Sequence, residues 1–137
     1  MKIKLDPFGF MPKKAHDADA GYDLYCTRDT VIPARGSATF DTGVHMAIPK
    51  GWYGKLESKS GLNVKHGVVS LGGVIDSGYT GAIVAKLYNM TDTPYEFKRG
   101  DKVVQIVFHR HESPVLELVD ELDDTERGDG GFGSTGR

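Results

Sequence analysis

The stretch Gly73-Val74-Ile75-Asp76-Ser77-Gly78-Tyr79-Thr80-Gly81 decides how the rest of the chain is interpreted. Two apolar strand formers lead into an acid, glycines bracket a tight turn, and Ala82 to Leu87 has the composition of a returning strand. This order predicts a β-hairpin that presents Asp76 and Tyr79. A carboxylate at a strand end can be held rigidly and still reach a substrate, as a general base must. The alternative is a turn aspartate that bonds its own backbone, and only the other motifs can decide between the two.

Outward from this stretch, the chain consists of short apolar segments, each closed by Pro, Gly or Asp. No window of the sequence has an apolar stripe of helical period, so we expect only a short helix, one turn after Glu57. The segments predict a nearly all-β single domain, built as a sandwich, jelly roll or barrel. We predict strands at Lys2–Leu5, Tyr22–Cys26, Val31–Ile32, Thr39–Asp41, Val44–Ile48, Tyr53–Leu56, Val68–Leu71, Val84–Tyr88, Tyr95–Phe97, Val103–His109 and Val115–Val119.

Length and composition set outer bounds on function. A chain of 137 residues with a net charge of -2 fits one domain and argues against binding nucleic acid over an extended surface. Its one cysteine, Cys26, excludes a disulfide framework and suits a reducing compartment. No apolar run has transmembrane length, and residues 1–6 lack the hydrophobic segment of a signal peptide. We therefore expect a cytoplasmic protein with neither a membrane nor a nucleic acid as partner.

The character of the sequence changes after Val119. Residues 120–126 are mostly acidic, and residues 127–137 are rich in glycine. Such a segment cannot bury enough apolar surface to order itself, so we expect residues 120–137 to form a mobile arm. A frayed terminus is the simpler interpretation. The aromatic Phe132, the adjacent hydroxyls of residues 134 and 135, and an arginine at each end favour an arm that closes over a flat, anionic ligand.

Two further segments carry polar groups suited to an anion. Lys59, Ser60 and Gly61 offer a cation, a hydroxyl and an open backbone amide within three residues, which suits phosphate. Gln105 interrupts an apolar run, and a buried amide needs a partner, so it has either a structural hydrogen bond or a ligand. The histidines lack the spacing of a metal site, and we expect structural or surface roles for His45, His66, His109 and His111.

Five segments, in this order, resemble the five motifs of the trimeric deoxyuridine triphosphatases (dUTPases). They are Ala20-Gly21-Tyr22-Asp23-Leu24, Lys59-Ser60-Gly61-Leu62, Gly73 to Tyr79, Gly100-Asp101-Lys102-Val103-Val104-Gln105 and Arg127 to Gly136. The resemblance spans residues 20–136. It implies a jelly-roll-like fold that hydrolyses dUTP to dUMP and pyrophosphate with Mg²⁺. Such an activity limits uracil incorporation into DNA and supplies dUMP for thymidylate synthesis.

The resemblance also implies roles for individual residues. Asp76 would activate the water that attacks the α-phosphorus, and Asp23 would support a Mg²⁺ ion through its waters, the main ligands being the substrate phosphates. Tyr79 would pack on the deoxyribose, where a 2′-hydroxyl would clash. The backbone from Gly73 through Val74 and Ile75 to Val84 would bind uracil. Phosphate contacts would come from Lys59, Ser60, Gly61 and Gln105.

The arm and the assembly follow from the same resemblance. Phe132 would stack on the uracil, while Arg127, Gly133 and Ser134 would meet the β- and γ-phosphates, so that the arm acts as a lid. Members of the family are homotrimers in which three subunits contribute to each site. Motifs one, two and four come from one chain, motif three from a second and motif five from a third, which implies heterologous interfaces that close a ring.

Two departures and two rival functions accompany the resemblance. Lys59 replaces a usual arginine, so a bidentate phosphate contact becomes a point charge, and Gly78 replaces a frequent acid, which loosens the turn. The first rival is a dCTP deaminase of the same fold, which needs a glutamate near the base; Glu57 is the one acid close to the second motif, and its position matches poorly. The second rival is a regulatory β-domain without catalytic activity.

Overall fold

The computed structural model describes residues 1–136, and Arg137 at the end of the predicted arm lies outside them. The described part of the chain is built from strands and one short helix. In chain order these are β1 (Lys2–Leu5), β2 (Gly21–Tyr25), β3 (Thr30–Ile32), β4 (Ser37–Asp41), β5 (Val44–Ala47), β6 (Trp52–Ser58), α1 (Ser60–His66), β7 (Val68–Ser70), β8 (Val74–Ile75), β9 (Val84–Asn89), β10 (Tyr95–Phe97) and β11 (Lys102–Arg110).

The strands form open antiparallel sheets that enclose one core. A four-stranded sheet has the order β2-β11-β6-β8, a three-stranded sheet has the order β4-β9-β7, and β1 pairs with β5 as β10 pairs with β3. The inward side chains of the first two sheets meet in a single hydrophobic cluster, in which Leu24, Leu56 and Ile106 face Phe40 and Leu87. The all-β, jelly-roll-like sandwich expected from the sequence is therefore confirmed.

The β-hairpin predicted around Asp76 is wrong as a strand pairing. Strand β8 pairs with β6, where Val74 lies opposite Lys55 and Ile75 lies opposite Gly54. Strand β9 pairs instead with β4 and β7. The segment 76–83, which we call the crossover loop, therefore passes from one sheet to the other. Local composition identified the two strands but not their pairing. Strand β8 has only two residues, and β9 pairs with the longer strands β4 and β7 instead.

The short helix expected after Glu57 is α1, which begins at Ser60 and runs for seven residues rather than a single turn. Gly67 closes the helix in the left-handed region, with φ of 61°, and its N–H bonds the carbonyl of Asn63. The helix buries too little surface to give the sequence an amphipathic period, because Leu62 alone packs against the core from it. Within residues 1–136, no helix has the length and apolar character needed to span a membrane.

The strand predicted at Val115–Val119 is also wrong. The chain beyond β11 has no strand or helix within the described residues, and Val115, Leu116 and Leu118 are 97%, 89% and 99% exposed. An alternating apolar segment becomes a strand only when it pairs with a sheet edge, and no strand of residues 1–136 pairs with this segment. The last strand thus ends at Arg110, before the arm predicted to begin at residue 120.

Candidate active site

Strand register brings the first, second and fourth motifs together at one end of the four-stranded sheet. Asp23 on β2 lies opposite Gln105 on β11, and Gln105 lies opposite Glu57 on β6. Lys59 follows immediately, between the end of β6 and the first residue of α1. We call the group of Asp23, Lys59, Lys102 and Gln105 the carboxylate–lysine cluster.

Asp23 is the centre of this cluster. It is 3% exposed, and its two carboxylate oxygens bind two different ammonium groups. Lys102 Nζ lies 2.8 Å from Oδ2, and Lys59 binds Oδ1. Burial opposes ionisation of Asp23, but the hydrogen bonds and charges of Lys102 and Lys59 outweigh it and hold the pKa of this carboxyl below its usual value. The Asp23 carboxylate is thus held in its ionised form, and the ammonium groups of Lys59 and Lys102 lie side by side against it.

Gln105 has the structural hydrogen bond that was one of its two sequence-based interpretations. Its Nε2 donates to the carbonyl of Ser58 at 3.2 Å. Its Oε1 lies over Gly21, where an added Cβ would come within 2.3 Å of that oxygen. Beside it, Ser60 and Gly61 are exposed, and a Cβ at Gly61 would meet nothing within 4 Å. This side of the cluster is open to a ligand.

Asp76 and Tyr79 lie at a separate place, in the crossover loop. Asp76 is exposed and directly follows β8. It lines a cleft of about 180 Å³, which we call the Asp76 cleft. Its other walls are Val74, Ile75, Tyr79, Ala82 and Val84. The structure therefore places the residues predicted to bind uracil and the deoxyribose beside Asp76, the predicted general base.

Two glycines give the Asp76 cleft its shape. Gly73 has a φ of 133°, and a Cβ there would come within 2.9 Å of Leu56, so the chain can pass over the core only without a side chain. A Cβ at Gly81 would lie 2.5 Å from the hydroxyl oxygen of Tyr79, because the ring lies over the Gly81 backbone. That hydroxyl donates to the carbonyl of Ala82 at 2.8 Å. The sequence indicated a turn at Gly81 but not this contact.

The two groups of site residues do not meet in one chain. Asp76 lines a second cleft, of about 330 Å³, together with Tyr53 at the start of β6. The carboxylate–lysine cluster lies beyond Ser58 at the end of the same strand. At about 3.4 Å per residue, the path from Tyr53 to Ser58 is about 17 Å long. A triphosphate whose α-phosphorus lies at Asp76 would not reach the cluster of the same chain.

Residues 127–136 form local turns, and none of them hydrogen-bonds to either group of site residues. Arg127 Nε donates to the carbonyl of Gly130 at 2.8 Å, and Ser134 N donates to that of Gly131 at 3.0 Å. Phe132 is fully exposed and has a φ of 52°, which is uncommon outside glycine. The structure therefore leaves Arg127, Phe132, Gly133 and Ser134 away from the predicted substrate contacts.

Sequence reasoning missed one member of the cluster. Lys102 belongs to the fourth motif, but its contact with Asp23 joins residues far apart in the chain and leaves no local signal. The pairing becomes visible only through the β2–β11 register, where Lys102 lies opposite Tyr25 across an irregular step.

Known proteins resemble this chain over nearly its whole length. The family model described as dUTPase matches residues 9–136. A deoxyuridine 5′-triphosphate nucleotidohydrolase of Paramecium bursaria Chlorella virus 1 is 43% identical over 133 residues, which cover 97% of this chain and 94% of the relative. Among solved structures, a mutant dUTPase of Staphylococcus bacteriophage 80alpha with dUpNHpp superposes with a TM-score of 0.89 at 28% identity, covering 99% of this chain and 98% of that one.

A second solved structure adds a metal. A mutant dUTPase from phage phi11 of S. aureus, described with a structural Mg(II) ion, has a TM-score of 0.81 at 27% identity and covers 88% of this chain and 96% of that one. The extent of these matches, the motif order and the placement of Asp76 beside Tyr79 agree with one another. The chain belongs to the dUTPase family.

Proposed function

We propose that this protein hydrolyses dUTP to dUMP and pyrophosphate, and that Asp76 is the base that activates the attacking water. The observation that carries the proposal is the position of Asp76, an exposed carboxylate at a strand end that lines one cleft together with Tyr79. A carboxylate is a weak base for water. It suffices when the charge that develops on the phosphates is stabilised by fixed donors and cations.

The Asp76 cleft accounts for the choice of base and sugar. Val74, Ile75 and Val84 line it. In this proposal their backbone N–H and C=O groups, fixed in direction by the strands, match one edge of uracil. Tyr79 is held between Gly81 and the carbonyl of Ala82, so its ring cannot retreat from a deoxyribose packed on it. A ribose 2′-hydroxyl would meet this fixed ring, and UTP is therefore a poor substrate.

The carboxylate–lysine cluster accounts for the phosphates. Ser60 and Gly61 form the first turn of α1, and N–H groups in a first turn have no acceptor within the helix. Lys59 and Lys102 bring positive charge to the same end of the sheet, although both ammonium groups also hold Asp23. In this proposal Gln105 contacts a phosphate through groups not used by its bond to Ser58.

The cluster suits a Mg²⁺ ion that arrives with the triphosphate. Asp23 is its one acid, both carboxylate oxygens already bind ammonium groups, and no group of three or more His, Cys, Asp or Glu in residues 1–136 could hold a metal by itself. Mg²⁺ commonly keeps several waters and binds substrate phosphates with few protein ligands. Asp23 therefore fits an outer position reached through water. When bound, the ion would neutralise charge on the phosphate oxygens.

Assembly as a homotrimer would bring the separated parts together. We propose that the cluster of one chain, the Asp76 cleft of a second and the C-terminal arm of a third form each active site. Two observations support this: the path of about 17 Å between cleft and cluster in one chain, and the exposure of Val115, Leu116 and Leu118 in the segment that leads to the arm. Apolar side chains in such a row are suited to burial against another copy.

The deaminase alternative is not favoured. Glu57, the acid considered for that role, lies opposite Gln105 at the cluster end of β6 and binds Lys55 at 2.6 Å. The walls of the Asp76 cleft include no glutamate. The role in limiting uracil in DNA and supplying dUMP, and the cytoplasmic location, stay predictions that belong to the same proposal.

Pyrophosphate release from dUTP, dTTP, dCTP and UTP, with Mg²⁺ or with EDTA, tests the reaction. We expect release from dUTP alone, abolished by EDTA. An equal rate with UTP would contradict the role of Tyr79, and ammonia release from dCTP would favour the deaminase. No release from any nucleotide would favour a regulatory β-domain.

A further inference from the structure

His45 links the crossover loop to the N-terminal strand. It lies on β5, and its side chain is 18% exposed. Its Nδ1 is 2.8 Å from the carbonyl oxygen of Thr80, and its Nε2 is 3.2 Å from Oδ2 of Asp6. Thr80 directly follows Tyr79, so the ring of His45 touches the backbone that orients the tyrosine.

Both partners of His45 accept hydrogen bonds, and neither can donate. A backbone carbonyl has no proton, and an ionised carboxylate has none either. A neutral imidazole carries one N–H and can satisfy one of them, leaving a nitrogen lone pair against the other oxygen. The imidazolium carries two and satisfies both. The link from Asp6 through His45 to Thr80 is therefore complete only in the charged form.

The charged groups around His45 come from the neighbouring strand and from the loop that follows it. Lys4 lies directly opposite His45 in the β1–β5 register, and Lys2 lines the same groove. The carbonyl of Thr80 and the carboxylate of Asp6 favour the imidazolium, and together they outweigh the opposing charge of Lys4 and raise the pKa of His45 above its ordinary value.

The rest of the loop is anchored without a titrating group. Thr42 Oγ1 donates to the carbonyl of Ile83 at 2.7 Å, and Ile83 N donates to the carbonyl of Val44 at 2.8 Å. These bonds fix the end of the loop at every pH. The tip at Thr80 has the His45 contact as its side-chain anchor, so the protonation state of His45 acts on the tip while the loop end stays in place.

We propose that His45 is a positioning residue for nucleotide binding, which sets the Tyr79 ring through the Thr80 carbonyl. This inference rests on the proposed role of Tyr79 against the deoxyribose. It replaces the structural or surface role expected for His45 from its lack of motif partners. Because the link needs the imidazolium, it is complete below the pKa of His45 and is lost as pH rises through that value.

The test follows KM and kcat for dUTP and UTP between pH 5.5 and 8.5 in four proteins. They are the wild type, His45→Gln, Asp6→Asn and the matched control His66→Gln, whose histidine lies on α1 against Tyr95. Titration of the substrate phosphates is common to all four. In the wild type we expect KM for dUTP to rise about three- to tenfold above the His45 midpoint, the net contribution of one ordinary hydrogen bond. The preference for dUTP over UTP falls in parallel.

The variants separate a titrating link from a merely structural one. His45→Gln keeps one donor and does not titrate, so its KM profile lacks this step. Asp6→Asn removes the carboxylate and moves the step to lower pH, and His66→Gln retains the wild-type profile. An NMR titration of the His45 ring without substrate should give a midpoint above 6.5, the ordinary value for histidine. In Asp6→Asn this midpoint should be lower.

The inference is overturned if His45→Gln keeps the wild-type KM step, or if the NMR midpoint is ordinary and unaffected by Asp6→Asn. Failure of the proposed function has a different signature. In that case the wild type would release no pyrophosphate from dUTP, or the wild type and Tyr79→Ala would discriminate against UTP equally, whatever the NMR titration shows.

Discussion

The two ends of strand β6 carry two kinds of functional region. At one end, the carboxylate–lysine cluster is built from β2, β11 and the start of α1, and its central acid is buried and held by two cations. At the other end, the Asp76 cleft is formed by the exposed crossover loop and the strands beside it. Its shape depends on two glycines and on backbone hydrogen bonds. The first region is suited to binding a charged group, and the second is suited to selecting a ligand by its shape.

This difference explains why the regions can be divided between chains. Phosphate binding needs cations fixed before the substrate arrives, which strand register provides at a distance from the loop. Base and sugar selection needs a close-fitting wall, which a local loop provides by itself. Each region is complete within one chain, and in the proposed homotrimer the assembly would join the two regions that β6 separates.

The largest effect should come from Asp76→Asn, which tests the exposed region alone. The amide keeps the shape of the side chain but cannot accept a proton from water. We expect kcat to fall about a thousandfold or more, within the range for loss of a general base. Binding of a non-hydrolysable dUTP analogue, measured by calorimetry, should change little. Activity within tenfold of the wild type would remove Asp76 from the mechanism.

Truncation after Glu126 should be next in size. It removes the aromatic ring and donors proposed to close the site but leaves the core untouched, because Arg127 and Ser134 hydrogen-bond only within the arm. We expect kcat/KM to fall about a hundredfold, with an unchanged far-UV circular dichroism spectrum and melting temperature. Phe132→Ala should reproduce part of the loss. Full activity of the truncated protein would refute the lid.

Asp23→Asn tests the buried region through stability. The change leaves Lys59 and Lys102 facing an amide instead of an anion. Because both lysine side chains stay partly exposed, we expect a loss of about 3 kcal/mol in the free energy of unfolding, the low end for a broken buried ion pair. Because the pKa of Asp23 is lowered in the folded state, its contribution is present above the unfolded value of about 3.9 and is lost as pH falls through the folded pKa. Urea titrations at pH 7 and pH 3 should show the variant closer to the wild type at pH 3. An equal difference at both pH values would contradict the ion-pair account.

The smallest effect is expected from substitutions of Gly81 and Gly78, two glycines of the crossover loop. Gly81→Ala would push a Cβ into the Tyr79 ring, whereas Gly78→Ala would place one in open space. We expect KM for dUTP to rise about tenfold in the first variant, as a loss of packing against the sugar, and to stay within twofold in the matched control. Equal values in the two variants would show that the position of the ring does not control binding.

The sequence predicted most strands, because alternation and turn residues are local signals. It did not predict which strand pairs with which. Strand β8 pairs with β6, and β9 pairs with β4 and β7, so the segment expected to be a hairpin is a crossover loop. The contact of Lys102 with Asp23 and the link of His45 to Thr80 join distant positions and leave no pattern in the chain. The catalytic role proposed for Asp76 rests on the family motifs, since an Asp-Ser-Gly turn alone does not distinguish a general base from a turn residue.

The most direct test of the shared site mixes two inactive variants. Asp76→Asn disables the cleft, and Ser60→Glu adds an anion where phosphate should bind while an acid in the first turn of α1 favours folding. The two proteins are refolded together in equal amounts, and dUTP hydrolysis is compared with each variant refolded alone. If cleft and cluster come from different chains, random assembly should restore activity to about a quarter of the sites. Activity no greater than that of the separate variants would show that both regions act within one chain.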